Sequence, residues 1–154
     1  MIYEKKSDKL LRAINAYQLI SHRKGPLAKL SLAFVKRRIE FWTIVAGCDI
    51  HRDATIPEST RLPHPTGVVV HRDTVIGENC LIMQQVTLGQ TAEQGAPTLG
   101  ENVYVGAGAK ILGNVTIGDN ARVGANAVVL CDVPENATAV GIPARVVLKA
   151  DIAG

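Results

Sequence analysis

From Ile50 onward the chain counts in sixes. Aliphatic residues fall at Ile50, Ile56 and Leu62, then at Val70, Ile76, Ile82 and Leu88, then at Leu99, Val105, Ile111, Ile117, Val123 and Val129. Every interval is six except the eight before Val70 and the eleven before Leu99. A small or β-branched residue recurs four places after almost every marker: Ala54, Thr60, Thr66, Thr74, Cys80, Val86, Val103, Ala109, Val115, Ala121, Ala127 and Val133. Glycine often follows the marker directly, as at Gly77, Gly100, Gly106 and Gly118. A period of six suits neither one amphipathic helix nor one long strand. It suits a short strand and a corner repeated around a solenoid, with three units to a triangular coil. The marker then points inward, the small residue fills the corner and the glycine permits the turn. Coils stack as parallel strands about 4.8 Å apart, so the thirteen markers make about four to five coils.

The first forty-odd residues follow a helical spacing instead. Leu10, Leu11, Ile14, Leu19 and Ile20 suggest a helix over 7–24, and Leu27, Leu30, Phe34, Ile39 and Phe41 a second over 27–42, broken at Gly25-Pro26. These helices are expected to cover the amino end of the solenoid, where bare strand edges invite aggregation. At the other end V140-G-I-P-A-R-V-V-L-K reads as a closing turn and tail. The division expected is a helical cap at 1–45, a repeat domain at 46–148 and a tail at 149–154.

Insertions in a repeat protein map to loops on one face, so the two breaks are where chemistry is sought. The first contains R61-L-P-H-P-T-G, which clamps His64 between Pro63 and Pro65. Fixed dihedrals on both sides hold the ring in place. A neutral imidazole accepts a proton near physiological pH, as a general base for a hydroxyl must. Pattern alone leaves open a corner histidine bonded to a backbone carbonyl. The second break, G89-Q-T-A-E-Q-G-A-P-T, is polar and long enough to protrude. Lying one or two coils apart, the two breaks are expected to border one pocket.

Composition changes little in this reading. Aromatics make up 4% of the 154 residues and glycine numbers 14, which fits short strands with tight corners. Charge is uneven: residues 1–40 hold ten Lys/Arg against three Asp/Glu, and the remainder seven against eleven. A basic opening is compatible with an anionic partner, but a solvated helix surface needs none, and neither nucleic acid nor stable membrane insertion is expected. Cys48, Cys80 and Cys131 are too few and too scattered for a disulfide framework or zinc cluster and read as small buried residues. Charges at M-I-Y-E-K-K-S-D stand where a signal peptide's apolar region would begin. A cytoplasmic protein is expected.

Taken in order, C48-D-I-H, H64-P-T-G-V-V-V, Q85-V-T-L-G and V105-G-A-G-A-K-I-L-G resemble serine acetyltransferases, within the hexapeptide-repeat acyltransferases. The resemblance covers about residues 45–148. It implies an all-β solenoid, a left-handed parallel β-helix of hexapeptide repeats with a short N-terminal helical segment, assembled as a homotrimer. Handedness rests on the resemblance, because parallel crossovers are ordinarily right-handed. The resemblance further implies that His64 is the general base, that Asp49 orients its ring, and that acetyl-CoA is the co-substrate. Gly89, Ala107 and Ala125 would form the wall for the pantetheine arm, with Arg145 and Lys149 near the phosphates. His51, His71 and His22 are assigned no more than structural or exposed roles. Zinc-binding relatives of this solenoid need a closer histidine pair than the seven residues between His64 and His71, so no metal is expected.

Three positions depart from the family pattern. Pro63 stands where an acidic residue is expected, and Gly95 and Ala96 replace an Arg-His pair of the protruding loop. The base is thereby kept and the acceptor's partners are lost. The expected activity is transfer of an acetyl group from acetyl-CoA to the hydroxyl of serine or a related compound. A sugar O-acetyltransferase of polysaccharide biosynthesis and a non-catalytic scaffold are the alternatives.

Overall fold

The structure is a computed structural model that describes residues 2–92 and 95–147, with side chains from Lys6 onward. Two helices, α1 (Ile2–Ser21) and α2 (Pro26–Ala46), precede the repeats. Among the described residues thirteen short strands follow: β1 (Asp49–Ile50), β2 (Val69–Val70), β3 (Val75–Ile76), β4 (Leu81–Ile82), β5 (Thr87–Gly89), β6 (Thr98–Leu99), β7 (Tyr104–Val105), β8 (Lys110–Leu112), β9 (Thr116–Ile117), β10 (Arg122–Val123), β11 (Val128–Val129), β12 (Thr138–Gly141) and β13 (Ala144–Val147). They stack into three sheets, β1-β2-β5-β8-β11, β3-β6-β9 and β4-β7-β10-β12-β13, which the chain visits in turn. Pairing is parallel throughout except for the terminal hairpin of β12 and β13, which is antiparallel.

All thirteen markers are buried, none more than 3% exposed. One inward aliphatic per strand, stacked on its equivalents above and below, makes a continuous core without aromatic residues. The corner residues are buried as well, with one exception. Thr66 is exposed and Val68 is buried in its place. The corner is filled by the residue two places before the next marker, so the two residues inserted before Val70 shift the assignment by two.

Glycine after a marker has a different role from the one expected. A Cβ at Gly77 would lie 2.5 Å from the Gly100 carbonyl oxygen, and one at Gly118 would lie 2.4 Å from the Glu135 nitrogen. These glycines let the next coil approach. The left-handed turn positions are taken largely by Asn79, Asn102, Asn120, Asn126 and Asn136, with φ between 56° and 59°, a conformation that asparagine tolerates better than most residues.

α1 lies across the first coil and bonds to it directly. Ser7 Oγ donates to the Leu62 carbonyl at 3.0 Å, Asn15 Nδ2 to Ile56 at 3.1 Å, and Gln18 Nε2 to Ala54 at 2.8 Å. Carbonyls that have no coil beneath them thus receive donors. α1 begins before its expected span and ends three residues short of it, whereas α2 exceeds its expected span at both ends and is apolar on two sides. Val35, Ile39 and Ala46 are buried, whereas Leu27, Leu30, Phe34, Phe41 and Ile44 are exposed. Of the apolar residues read from the sequence, Leu10, Leu11, Ile14 and Ile39 are buried, and Leu19 is exposed. Among the described residues no helix is long and apolar enough to cross a membrane.

Candidate functional site

Asp49 opens β1 and faces outward, because Ile50 takes the inward position of this two-residue strand. β2 is its parallel neighbour, with Asp49 opposite Val69 and Ile50 opposite Val70. His64 sits in the corner leading into β2, exposed between half-buried Pro63 and buried Pro65. Backbone bonds tie this corner to the coil below: the Gly67 N–H donates to the Gly47 carbonyl at 2.7 Å and the Asp49 N–H to Val68 at 2.8 Å. The sequence break has therefore become a projecting corner beside the strand that carries Asp49.

Cys48, next to Asp49, is buried. Burial pushes its thiol up from 9.0 to about 11, and the neighbouring Asp49 charge adds to the effect. Burial also raises the Cys80 thiol. Neither supplies a thiolate nucleophile near neutral pH. Cys131, expected to be buried, is exposed. It stands two places after a marker, the outward corner position at which Glu58, Arg72 and Asp119 are also exposed.

A cavity of about 230 Å³ lies on the outer surface of β1, β2 and β5, lined by Asp49, His51, Val69, Val70, His71, Arg72, Leu88 and Gly89. Of the residues singled out in the sequence it gathers Asp49 and Gly89. His51, His71 and Arg72 line it too, although the sequence gives the two histidines no more than structural or exposed roles. The signal that marks them is the repeated triplet H51-R-D and H71-R-D. A larger cavity of about 630 Å³ lies under the described part of the protruding loop, against Thr91, Ala92, Leu112, Gly113, Asn114, Val115 and Leu130. His64 lines neither cavity, and among the described residues neither of these two cavities joins the two breaks.

Ala107 and Ala125 occupy stacked corners ahead of β8 and β11, joined by the Asn126 N–H donating to the Ala107 carbonyl at 2.8 Å. With no side chain beyond Cβ, they leave a smooth track along that edge. Gly89 stands apart from them, at the far end of β5. Arg145 is exposed on β13, opposite Val140. Lys149 and the tail lie outside the described residues. Among the described residues no group of three or more His, Cys, Asp or Glu is arranged to hold a metal ion.

Residues 96–131 match the family model for the bacterial transferase hexapeptide (six repeats). The serine acetyltransferase of Synechococcus elongatus is 46% identical over 112 residues, covering 71% of this chain and 46% of the relative. Soybean serine acetyltransferase solved in complex with serine superposes with a TM-score of 0.76 at 40% identity, over 90% of this chain and 56% of that one. A serine acetyltransferase solved in complex with CoA gives 0.72 at 39% identity, over 88% and 55%. The chain spans about half the length of the curated relatives it matches. A six-residue period that buries every marker, carrying an ordered set of motifs shared with these relatives, makes the chain a serine acetyltransferase-like member of the hexapeptide-repeat acyltransferase family.

Proposed function

We propose that the protein transfers the acetyl group of acetyl-CoA to the hydroxyl of serine or a related small hydroxy compound, with His64 as general base and Asp49 as the residue that orients it. The observation carrying this reading is the exposed, proline-flanked ring of His64 on a corner bonded to the Asp49 strand. The relatives named above, one solved with serine and one with CoA, support the choice of substrates. The coils wind left-handed in this reading, as the family resemblance implies. The division into a cap at 1–45, a repeat domain at 46–148 and a tail at 149–154 is kept.

In the reaction a ring nitrogen of His64 takes the hydroxyl proton as the oxygen attacks the thioester carbonyl. The tetrahedral oxyanion collapses, the C–S bond breaks, and the thiolate leaves with the proton returned by the imidazolium. The products are the acetyl ester and free CoA thiol. Asp49 stabilises the transient imidazolium and fixes the tautomer. Ala107 and Ala125 admit the pantetheine arm against the backbone and Arg145 and Lys149 meet phosphates, while Gly89, expected in the same wall, is reassigned to the acceptor side because it stands apart from them at the end of β5. A cleft between neighbouring subunits of a homotrimer suits this long ligand, and the exposed apolar row on α2 supports such association. The compartment is taken to be the cytoplasm.

Release of CoA thiol is followed with serine, homoserine and nucleotide sugars as acceptors. His64→Ala lowers turnover at least about 10²-fold while the assembly persists. Near-full activity of that variant with every working acceptor removes His64 from the mechanism. Activity with sugars alone moves the protein to the polysaccharide reading, which Pro63, Gly95 and Ala96 favour by replacing expected acceptor-binding residues.

A further inference from the structure

The sequence repeats itself closely at H51-R-D-A-T-I and H71-R-D-T-V-I. Strand register stacks the two segments in adjacent coils: the His51 N–H donates to Val70 at 3.1 Å and the His71 N–H to Leu88 at 2.8 Å. Coil geometry does not demand the triplet, since the equivalent positions after the markers Ile111 and Val129 read L112-G-N and L130-C-D.

Each ring uses one nitrogen structurally. His51 Nδ1 accepts the Asp53 N–H at 3.2 Å, and His71 Nδ1 accepts the Asp73 N–H at 3.3 Å. A nitrogen that accepts carries no proton, so in the neutral ring the proton resides on Nε2; the tautomer follows from the hydrogen bond. Two ring N–H donors result, carried on adjacent coils about 4.8 Å apart. Arg72 adds a guanidinium, held 3.4 Å from Asp53 and 3.8 Å from Asp73. The same two carboxylates lie 3.7 Å from their own histidines. Their contacts with Arg72 hold its guanidinium at the corner, whereas a carboxylate beside an unprotonated Nδ1 makes no hydrogen bond with it.

The next place in this column, after His51 and His71, is Gly89. A Cβ there would come within 3.2 Å of Leu112 Cδ2 and 3.3 Å of Thr87 Cγ2, and any longer side chain would fill space that Gly89 leaves open. The resulting cavity has an apolar floor of Val69, Val70 and Leu88, and its one lining carboxylate, Asp49, is a residue of the proposed catalytic pair. At about 230 Å³ it is smaller than the roughly 300–1,000 Å³ sites that enclose drug-sized ligands. A compact molecule with an oxyanion at one end matches that size and those donors.

We propose that His51, His71 and Arg72 form an anion subsite that grips the carboxylate of the acceptor, so that the alcohol acetylated is a small hydroxy acid and not a neutral sugar. The proposal rests on the acetyl-transfer reading of the neighbouring Asp49 and His64.

The full chain is assayed with acetyl-CoA against L-serine and L-serine amide, which differ in the carboxylate. The wild type favours the acid by about 10- to 100-fold, the range set by a charge-assisted hydrogen bond. His71→Ala and Arg72→Ala each raise the acceptor KM about tenfold or more and narrow that preference, while the KM for acetyl-CoA stays within about twofold. Arg72→Lys restores part of the loss. Equal use of acid and amide by the wild type overturns the subsite, and so does a rise confined to the KM for acetyl-CoA, which would assign the donors to a CoA phosphate. A second readout needs neither turnover nor a variant: L-serine titrated into ¹⁵N-histidine-labelled wild-type protein shifts the Nε2 resonances of His51 and His71 and saturates, and serine amide does not. Saturation without turnover keeps the subsite and rejects the acetyl-transfer reading; turnover without a shift does the reverse.

Discussion

Ile111 and His64 stand in one continuous solenoid and answer to opposite demands. Ile111 is fully buried in the middle of the sheet β1-β2-β5-β8-β11, at a position dictated by the count of six. His64 stands exposed in a corner made by breaking that count. The comparison teaches that the repeat separates stability from chemistry. Interior positions carry the fold and are interchangeable in kind, while the breaks place unique side chains on the outside without disturbing the stack.

The largest effect expected from testing this separation comes from Ile111→Ala. Loss of a fully buried branched side chain costs about 2–5 kcal/mol, a large share of a typical folding stability, and urea unfolding measures it. His64→Ala should change the same midpoint by no more than about 1 kcal/mol, as substitutions at exposed positions usually do. Comparable losses from both would end the separation of roles.

Alkaline pH probes the interior from another side. The Cys48 thiol titrates near 9.0 when unfolded and near 11 when buried. Between these values the unfolded chain releases a proton that the folded chain keeps, so stability is full below about pH 9 and declines toward pH 11, by on the order of 2 kcal/mol. Cys48→Ala should flatten that limb of the unfolding curve. In the native protein near pH 8, a thiol reagent should label Cys131 and spare Cys48 and Cys80.

Smaller again is the effect at the amino end. Asn15→Ala and Gln18→Ala remove donors to the Ile56 and Ala54 carbonyls, and each should cost about 1 kcal/mol. Faster hydrogen exchange limited to the first coil would mark the loss as local, whereas uniform exchange through all coils would show that α1 is not acting at the edge.

The same contrast governs what was legible in the residues. A marker is recognised because its six-residue phase repeats, and burial follows that phase without exception at the thirteen positions. The corner before Val70 is filled by Val68 and not by Thr66, because an inserted pair alters the count only on one side. His64 and Asp49 were legible through the flanking prolines and a family motif. His51, His71 and Arg72 are not legible in the sequence because each looks ordinary alone. Only when one coil is laid on the next do the triplets align and the side chain missing at Gly89 open a space.

The sequence alone determined the coil, its inward face, its two breaks and its family, because periodicity is a local property that survives in one dimension. Which face of α2 is bare, which corner stays outside, and that two imidazoles twenty residues apart meet in one cavity were decided by the tertiary structure. Stacking converts separation along the chain into a distance of one strand spacing, and no reading of neighbours in sequence contains that distance.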